Sequence, residues 1–235
     1  MNGPAGDSPP GASGPDVWAH RLVEAGGLTA GSRVLDVGGG SGALAAAIHA
    51  ACGAACTVAD PGAPDRPGAG VSFVRATAEA LPFNAASFEA VLFSHVLHHL
   101  ADPLAALREA ARVAAPGARL LVRAATHADL RALPHAGCMP SLLDGILSVT
   151  PDLPDLRAML TAAGWRYMEA RSFHTPQPGT LEAYAESVAM CAWREWAMTP
   201  GGGPDPRPAA RAWAMRTFSQ PPPVAETLIL ARLAG

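Results

Sequence analysis

The stretch Val34-Leu-Asp-Val-Gly-Gly-Gly-Ser-Gly42 constrains this chain more than any other. Arg33–Val37 is a short apolar and β-branched run, which reads as a buried parallel strand. A turn of glycines follows at once, and residues 43–51 read as a helix. Strand, glycine-rich turn and helix in that order open the kind of βαβ unit that cradles a nucleotide-like ligand. The spacing here is Asp36-x-Gly38-x-Gly40-x-Gly42, with an acid ahead of the glycines. A carboxylate at that point repels a pyrophosphate but accepts hydrogen bonds from a ligand ammonium. A second acid, Asp60, ends the next apolar run, about 20 residues further on, where a ribose would present two hydroxyls.

The rest of the chain repeats the alternation. Strands are expected over 57–59, 71–75, 88–94, 119–124, 165–173 and 227–233, with helices over 16–28, 104–113, 153–163, 181–198 and 209–218. Pro116-Gly117 is read as a helix stop before the fifth strand. This pattern predicts an α/β, Rossmann-like fold: a doubly wound, mostly parallel, seven-stranded sheet. Residues 1–15 are read as a disordered tail and 16–235 as a single domain. Segments at about 126–150 and 174–222 lie outside the sheet pattern and are candidates for a helical substrate cap, with a Gly/Pro linker over 199–208. Residues 61–70, rich in Pro and Gly, cannot make the helix expected after Asp60.

Composition narrows the function classes. Hydrophobic residues are 49% of the 235, enough for a sizeable core, and the net charge is −3. Neither that charge nor any basic stripe favours nucleic acid. No apolar run is long enough to span a bilayer and no secretory leader pattern opens the chain, so the expected location is cytoplasmic. The four cysteines, Cys52, Cys56, Cys138 and Cys191, lack metal-ligand spacing and read as reduced thiols.

Four stretches in series, Val34 to Gly42, Ala78-Glu-Ala-Leu-Pro-Phe83, Phe88-Glu-Ala-Val-Leu-Phe-Ser-His-Val-Leu-His-His-Leu100 and Leu107-Arg-Glu-Ala-Ala-Arg-Val-Ala-Ala-Pro-Gly117, resemble class I S-adenosylmethionine-dependent methyltransferases. The branch resembled is the small-molecule one that includes ubiquinone and menaquinone biosynthesis enzymes. The resemblance covers residues 16–125 well and the remainder loosely. It implies S-adenosylmethionine as cofactor, with the loop of Asp36, Gly38, Gly40 and Gly42 under its methionine part. It further implies Asp60 on the ribose, Thr77, Ala78 and Glu79 beside the adenine, and Ser94 and His95 facing the site of methyl transfer. The family usually carries Asp where Thr77 and Glu89 stand.

Methyl transfer from a sulfonium needs alignment and sometimes a base. His95, His98 and His99 stand at i, i+3 and i+4, which on a helix would put them on one face. His95 and His98 are the candidate catalytic bases, and His99 reads as packing. With only Asp102 near, three histidines make a poor metal site, and no metal is expected. Arg123 and His127, expected just past the fifth strand, and Trp193 and Trp196, in the cap, are candidate substrate contacts. The reading is therefore a methyltransferase of a small-molecule substrate, at oxygen or carbon, in biosynthetic or secondary metabolism, with a homo-oligomer possible. Two alternatives belong to other classes: a protein of the same fold without methyl transfer, as binding module or cyclase-like catalyst, and a methyltransferase of protein or RNA.

Overall fold

The computed structural model describes residues 14–62, 70–177, 179–198 and 204–234. Two compact units divide them. The first runs to Ala124 and adds Asp152–Ser172 and the chain from Thr227. The second comprises Ala125–Pro151 and Phe173–Glu226.

Seven strands, β1 (Arg33–Val37), β2 (Ala55–Ala59), β3 (Val71–Val74), β4 (Phe88–Ser94), β5 (Ala114–Ala124), β6 (Trp165–Thr175) and β7 (Val224–Leu233), form one sheet in the order β3-β2-β1-β4-β5-β7-β6. β1 pairs in parallel with both β2 and β4, β3 with β2, and β5 with β4, while β7 runs antiparallel to β5. The doubly wound, mostly parallel sheet read from the sequence is the sheet observed.

Helices cover both faces of this sheet. Leu35, Val37, Val91, Phe93, Leu120 and Val122 share one cluster with the helices α3 (Pro103–Val113) and α6 (Leu153–Ala162). Trp165 is fully buried there and donates its indole N–H to the Leu107 carbonyl at 3.0 Å. Side chains alternate along a strand, so Val34, Asp36, Leu92, Ser94, Leu121 and Arg123 point to the other face. That face meets α1 (Gly14–Gly26): a Cβ on Gly26 would stand 3.1 Å from Leu121 Cδ1. α2 (Ala43–Cys52) packs beside α1 and buries Ala45 and Ile48. At the amino ends of the strands Glu89 ties the starts of β1 and β4, accepting the Arg33 backbone N–H at 2.8 Å and its guanidinium at 2.6 Å. The Asp-to-Glu exchange at this position is thus structural.

The second unit contains α4 (His127–Arg131), α5 (Pro140–Val149), α7 (Leu181–Met198) and α8 (Arg207–Thr217). α7 and α8 bury Tyr184, Ala185, Val188 and Ala214 against each other. These helices occupy the two segments read as outside the sheet pattern. Among the described residues, no helix is long and apolar enough to cross a membrane.

Several boundaries differ from those expected. Gly14 and Pro15, assigned to the tail, form the first turn of α1, where Pro is tolerated because its missing N–H would have no partner; residues 1–13 lie outside the described ones. Pro116 and Gly117 stand inside β5, in an irregularity: Phe88 pairs with Ala114 but Ala90 with Arg119, so extra residues of β5 loop out between those pairs. Of the stretch 61–70, residues 63–69 lie outside the described ones, as do 199–203 of the linker, and α8 begins at Arg207, inside the segment assigned to that linker.

Candidate functional site

The sheet order reverses between β1 and β4, and ligands of open α/β sheets bind outside the strand ends at such a switch point. The chain leaves β1 there through the glycines. Gly38 has φ +71° and donates its N–H to the Ala59 carbonyl at 2.8 Å, which fixes the loop to the end of β2. A Cβ at Gly38 would stand 2.4 Å from Val96 Cγ2. Gly42 caps α2 with a left-handed backbone, and a Cβ on it would stand 2.5 Å from the Phe73 ring. Gly40 differs: nothing lies within 4 Å of where its Cβ would be. The loop is packed tightly at both ends and open at Gly40.

Beneath it lies Asp36, 1% exposed. Among the described residues neither of its carboxylate oxygens has a hydrogen-bond partner. Burial above all, and the nearby Asp60 carboxylate second, push its pKa up to about 7. A Cβ on Gly39 would come within 2.5 Å of Asp36 Oδ2, so the loop lies directly on the acid. Asp60 is in the contrary state. Its Oδ2 accepts the Gly40 N–H at 3.0 Å and its Oδ1 the Gly62 N–H at 2.7 Å. A buried polar group without a partner is rare and costly.

A cleft of about 280 Å³ opens beside the loop, lined by Gly38, Asp60, Thr77, Ala78, Glu79 and His99 among others. Of the residues expected around the cofactor, Gly38, Asp60, Thr77, Ala78 and Glu79 stand on its wall, Gly40 and Gly42 belong to the adjoining loop, and Asp36 lies in β1 beneath that loop. Ser94 and His95 are not on that wall. Ser94 ends β4, and His95 follows it. His99, read as a packing residue, is exposed and lines the cleft, together with Val96. Its place just after β4, the strand at the switch point, was the signal for it.

The histidines do not form one helical face. Only Leu97–His99 is helical, as a single 3-10 turn, and His95 precedes it with φ +54°. A non-glycine residue in that left-handed region is strained, and such strain collects at functional sites. The His95 N–H donates to the Arg123 carbonyl at 2.9 Å. The His98 and His99 rings lie 3.9 Å apart. Burial first, then the neighbouring His99 and His95, hold the His98 imidazole below its ordinary pKa.

The four substrate candidates divide between the units. Arg123 lies within β5, not past it, and places its guanidinium carbon 4.4 Å from the centroid of the Trp18 ring. His127 belongs to the second unit and donates Nε2–H to the Thr150 carbonyl at 2.8 Å. Trp193 is half-buried under Arg207, 5.9 Å away, and Trp196 is 38% exposed.

Comparison with known proteins agrees with this geometry. Residues 35–122 match the family model described as a methyltransferase domain. The ubiquinone/menaquinone biosynthesis C-methyltransferase of Hahella chejuensis is 29% identical over 202 residues, 79% of this chain and 77% of that protein. The demethylmenaquinone methyltransferase of Renibacterium salmoninarum is 30% identical over 183 residues, 67% of this chain and 76% of its own length. The crystal structure of the YcgJ protein of Bacillus subtilis superposes with a TM-score of 0.61 at 20% identity, covering 92% of this chain and 98% of that one, which shows a shared fold.

Proposed function

We propose that this chain, which belongs to the class I S-adenosylmethionine-dependent methyltransferases, methylates a small aromatic acceptor, with quinol rings as the foremost class. S-adenosylmethionine is its cofactor, and the residues at the switch point fit it. The observation that carries the reading is the orphaned carboxylate of Asp36 under the glycine loop. A ligand ammonium would give it the missing donors. Asp60 spends one lone pair of each oxygen on Gly40 and Gly62, and a carboxylate has about four, so it can also accept from two ribose hydroxyls. Thr77, Ala78 and Glu79 on the cleft wall are the proposed adenine contacts. Thr77 offers a hydroxyl where the family usually has a carboxylate.

When bound, the cofactor supplies a methyl group made electrophilic by a positive sulfur. The chain's own groups orient the acceptor and deal with its proton. His98, held neutral at pH 7 by its surroundings, is the proposed base for that proton. His95, its backbone pinned to Arg123, is proposed to face the acceptor beside it.

The acceptor class comes from the relatives. One is named for C-methylation in ubiquinone and menaquinone biosynthesis and the other for demethylmenaquinone, so a quinol-type ring carbon is the first acceptor to try. Incubation with isotope-labelled S-adenosylmethionine and a naphthohydroquinone should yield labelled product and S-adenosylhomocysteine in equal amounts. Absence of both, with a panel of phenols and hydroquinones, would overturn the proposal.

A further inference from the structure

We infer that Cys138 and Cys191 form an oxidative modification site: a hydroperoxide closes them into a disulfide that ties together the two chain segments of the second unit.

The placement follows from the way one stretch of chain lies along α7. Tyr184, Val188, Cys191 and Glu195 recur at helical spacing and form one stripe of that helix. Residues 135–142 run beside this stripe and are held at both ends. At one end the His135 ring meets the Tyr184 ring edge-on, centroids 5.9 Å apart, with His135 Nδ1 3.3 Å from the Tyr184 hydroxyl. At the other end the Glu195 carboxylate accepts the Ser141 N–H at 3.0 Å and the Leu142 N–H at 2.8 Å. Along the helix axis Glu195 lies about 16 Å beyond Tyr184, and Cys191 about 10 Å beyond it. Cys138 stands midway between the two fixed ends of its own segment, so at about 8 Å on the same axis. The two thiols are thus nearly level with each other on facing elements. Electrostatics agrees. Burial raises the Cys191 pKa, the Arg194 guanidinium opposes it, and Cys138 raises it further. Burial above all, then Cys138 and Cys191, push the Tyr184 hydroxyl up to about 12. Such effects weaken with distance, so the three groups make one cluster.

The pair also has access and room to close. Both cysteines are free and half-exposed. Cys138 ends a single 3-10 turn, Ala136–Cys138, and nothing lies within 4 Å of where a Cβ on Gly137 would be. That turn can adjust to the Cα separation of about 5–6 Å that a disulfide requires. Cys56 is in a different state: it is buried, and burial above all, then Cys52 and Asp36, push its thiol up to about 12. It stays protonated and inert.

The chemistry needs one hydroperoxide. Arg194, on the next turn of α7, favours the Cys191 thiolate and makes it the first nucleophile. That thiolate attacks a peroxide oxygen, becomes a sulfenic acid and expels hydroxide. The Cys138 thiolate then attacks the same sulfur, forms the S–S bond and expels a second hydroxide. With hydrogen peroxide two thiols are oxidised, one peroxide is reduced, and two waters form once the released protons are counted. The second unit is assembled from Ala125–Pro151 and Phe173–Glu226, and this bond joins the first segment to the second.

The test treats the full reduced chain with equimolar hydrogen peroxide at about pH 8.5, where thiols raised by burial begin to ionise. Remaining thiols are alkylated and the peptides mapped by mass spectrometry. A link between Cys138 and Cys191 should appear in most chains, at a yield independent of protein concentration, and vanish with dithiothreitol. Cys138→Ser should leave a sulfenic acid on Cys191 that dimedone traps. Four free thiols, a link confined to Cys52 and Cys56, links between chains, or single oxidation of Cys138 and Cys191 with no link would each overturn the inference. The wild-type peptide map alone separates these outcomes, so the result does not depend on how the variant folds.

Discussion

Asp36, next to last in β1, and Asp60, just past the adjacent parallel β2, hold their carboxylates in opposite conditions: Asp60 accepts two loop amides, and Asp36, almost fully buried, accepts none among the described residues. Burial first, and the Asp60 carboxylate second, raise the cost of charge on Asp36. Its pKa of about 7 in the folded protein stands above the ordinary 3.8 of the unfolded chain. The folded state therefore binds the proton more tightly. Stability of the cofactor-free protein should fall as pH rises from about 4 to about 7 and then level off, by up to about 4 kcal/mol. Asp36→Asn should flatten that slope in urea unfolding; an unchanged slope would place the titration elsewhere.

The glycine loop should tolerate substitution unevenly. Gly38→Ala adds a Cβ 2.4 Å from Val96 Cγ2 to a left-handed backbone, and should cost about 2–4 kcal/mol in thermal or urea unfolding. Val96→Ala should recover part of it. Gly40→Ala meets no atom within 4 Å, so only the backbone penalty of about 1–2 kcal/mol applies. Equal losses at the two positions would contradict this packing.

If His98 is the base, kcat should fall as pH drops through its pKa, which burial and the adjacent His99 and His95 set below the ordinary imidazole value. His98→Asn should lower kcat by about 10²-fold and remove that acid limb. Cofactor binding should be unaffected. A variant that keeps both rate and pH profile would exclude His98.

Trp165→Phe keeps most of a fully buried ring but leaves the Leu107 carbonyl without its indole donor. The expected cost is about 1 kcal/mol in urea unfolding, with no change in cofactor binding. A change in binding would mean that β6 and α3 transmit strain to the site.

Much of this fold was legible because its strands are short buried runs with glycine or acid at their ends. Arg33–Val37, Phe88–Ser94 and the long helix Leu181–Met198 stand where periodicity puts them. The wall of the cleft at Asp60 and Thr77 to Glu79 was legible from resemblance of motif and order. The histidines were not. A spacing of i, i+3 and i+4 is the same in a helix and in a strand end followed by a 3-10 turn, and nothing in the residue types announces the left-handed His95. Pro116-Gly117 likewise reads as a stop, yet a bulge lets β5 carry both. The platform of Trp18 under Arg123 joins residues about a hundred positions apart through tertiary packing alone, which no local pattern encodes.

Asp36 and the glycine loop are proposed to receive S-adenosylmethionine. Calorimetric titration of the cofactor into wild-type protein and Asp36→Asn, at pH 6 and pH 8, separates the outcomes. An ammonium that pairs with Asp36 must draw off its proton, so wild-type affinity should rise about tenfold between the two pH values, with proton release. Asp36→Asn should bind at least about tenfold more weakly at pH 8 and show no such rise. Equal affinities for the two proteins, or a wild-type affinity indifferent to pH, would exclude Asp36 as the partner of the ligand ammonium.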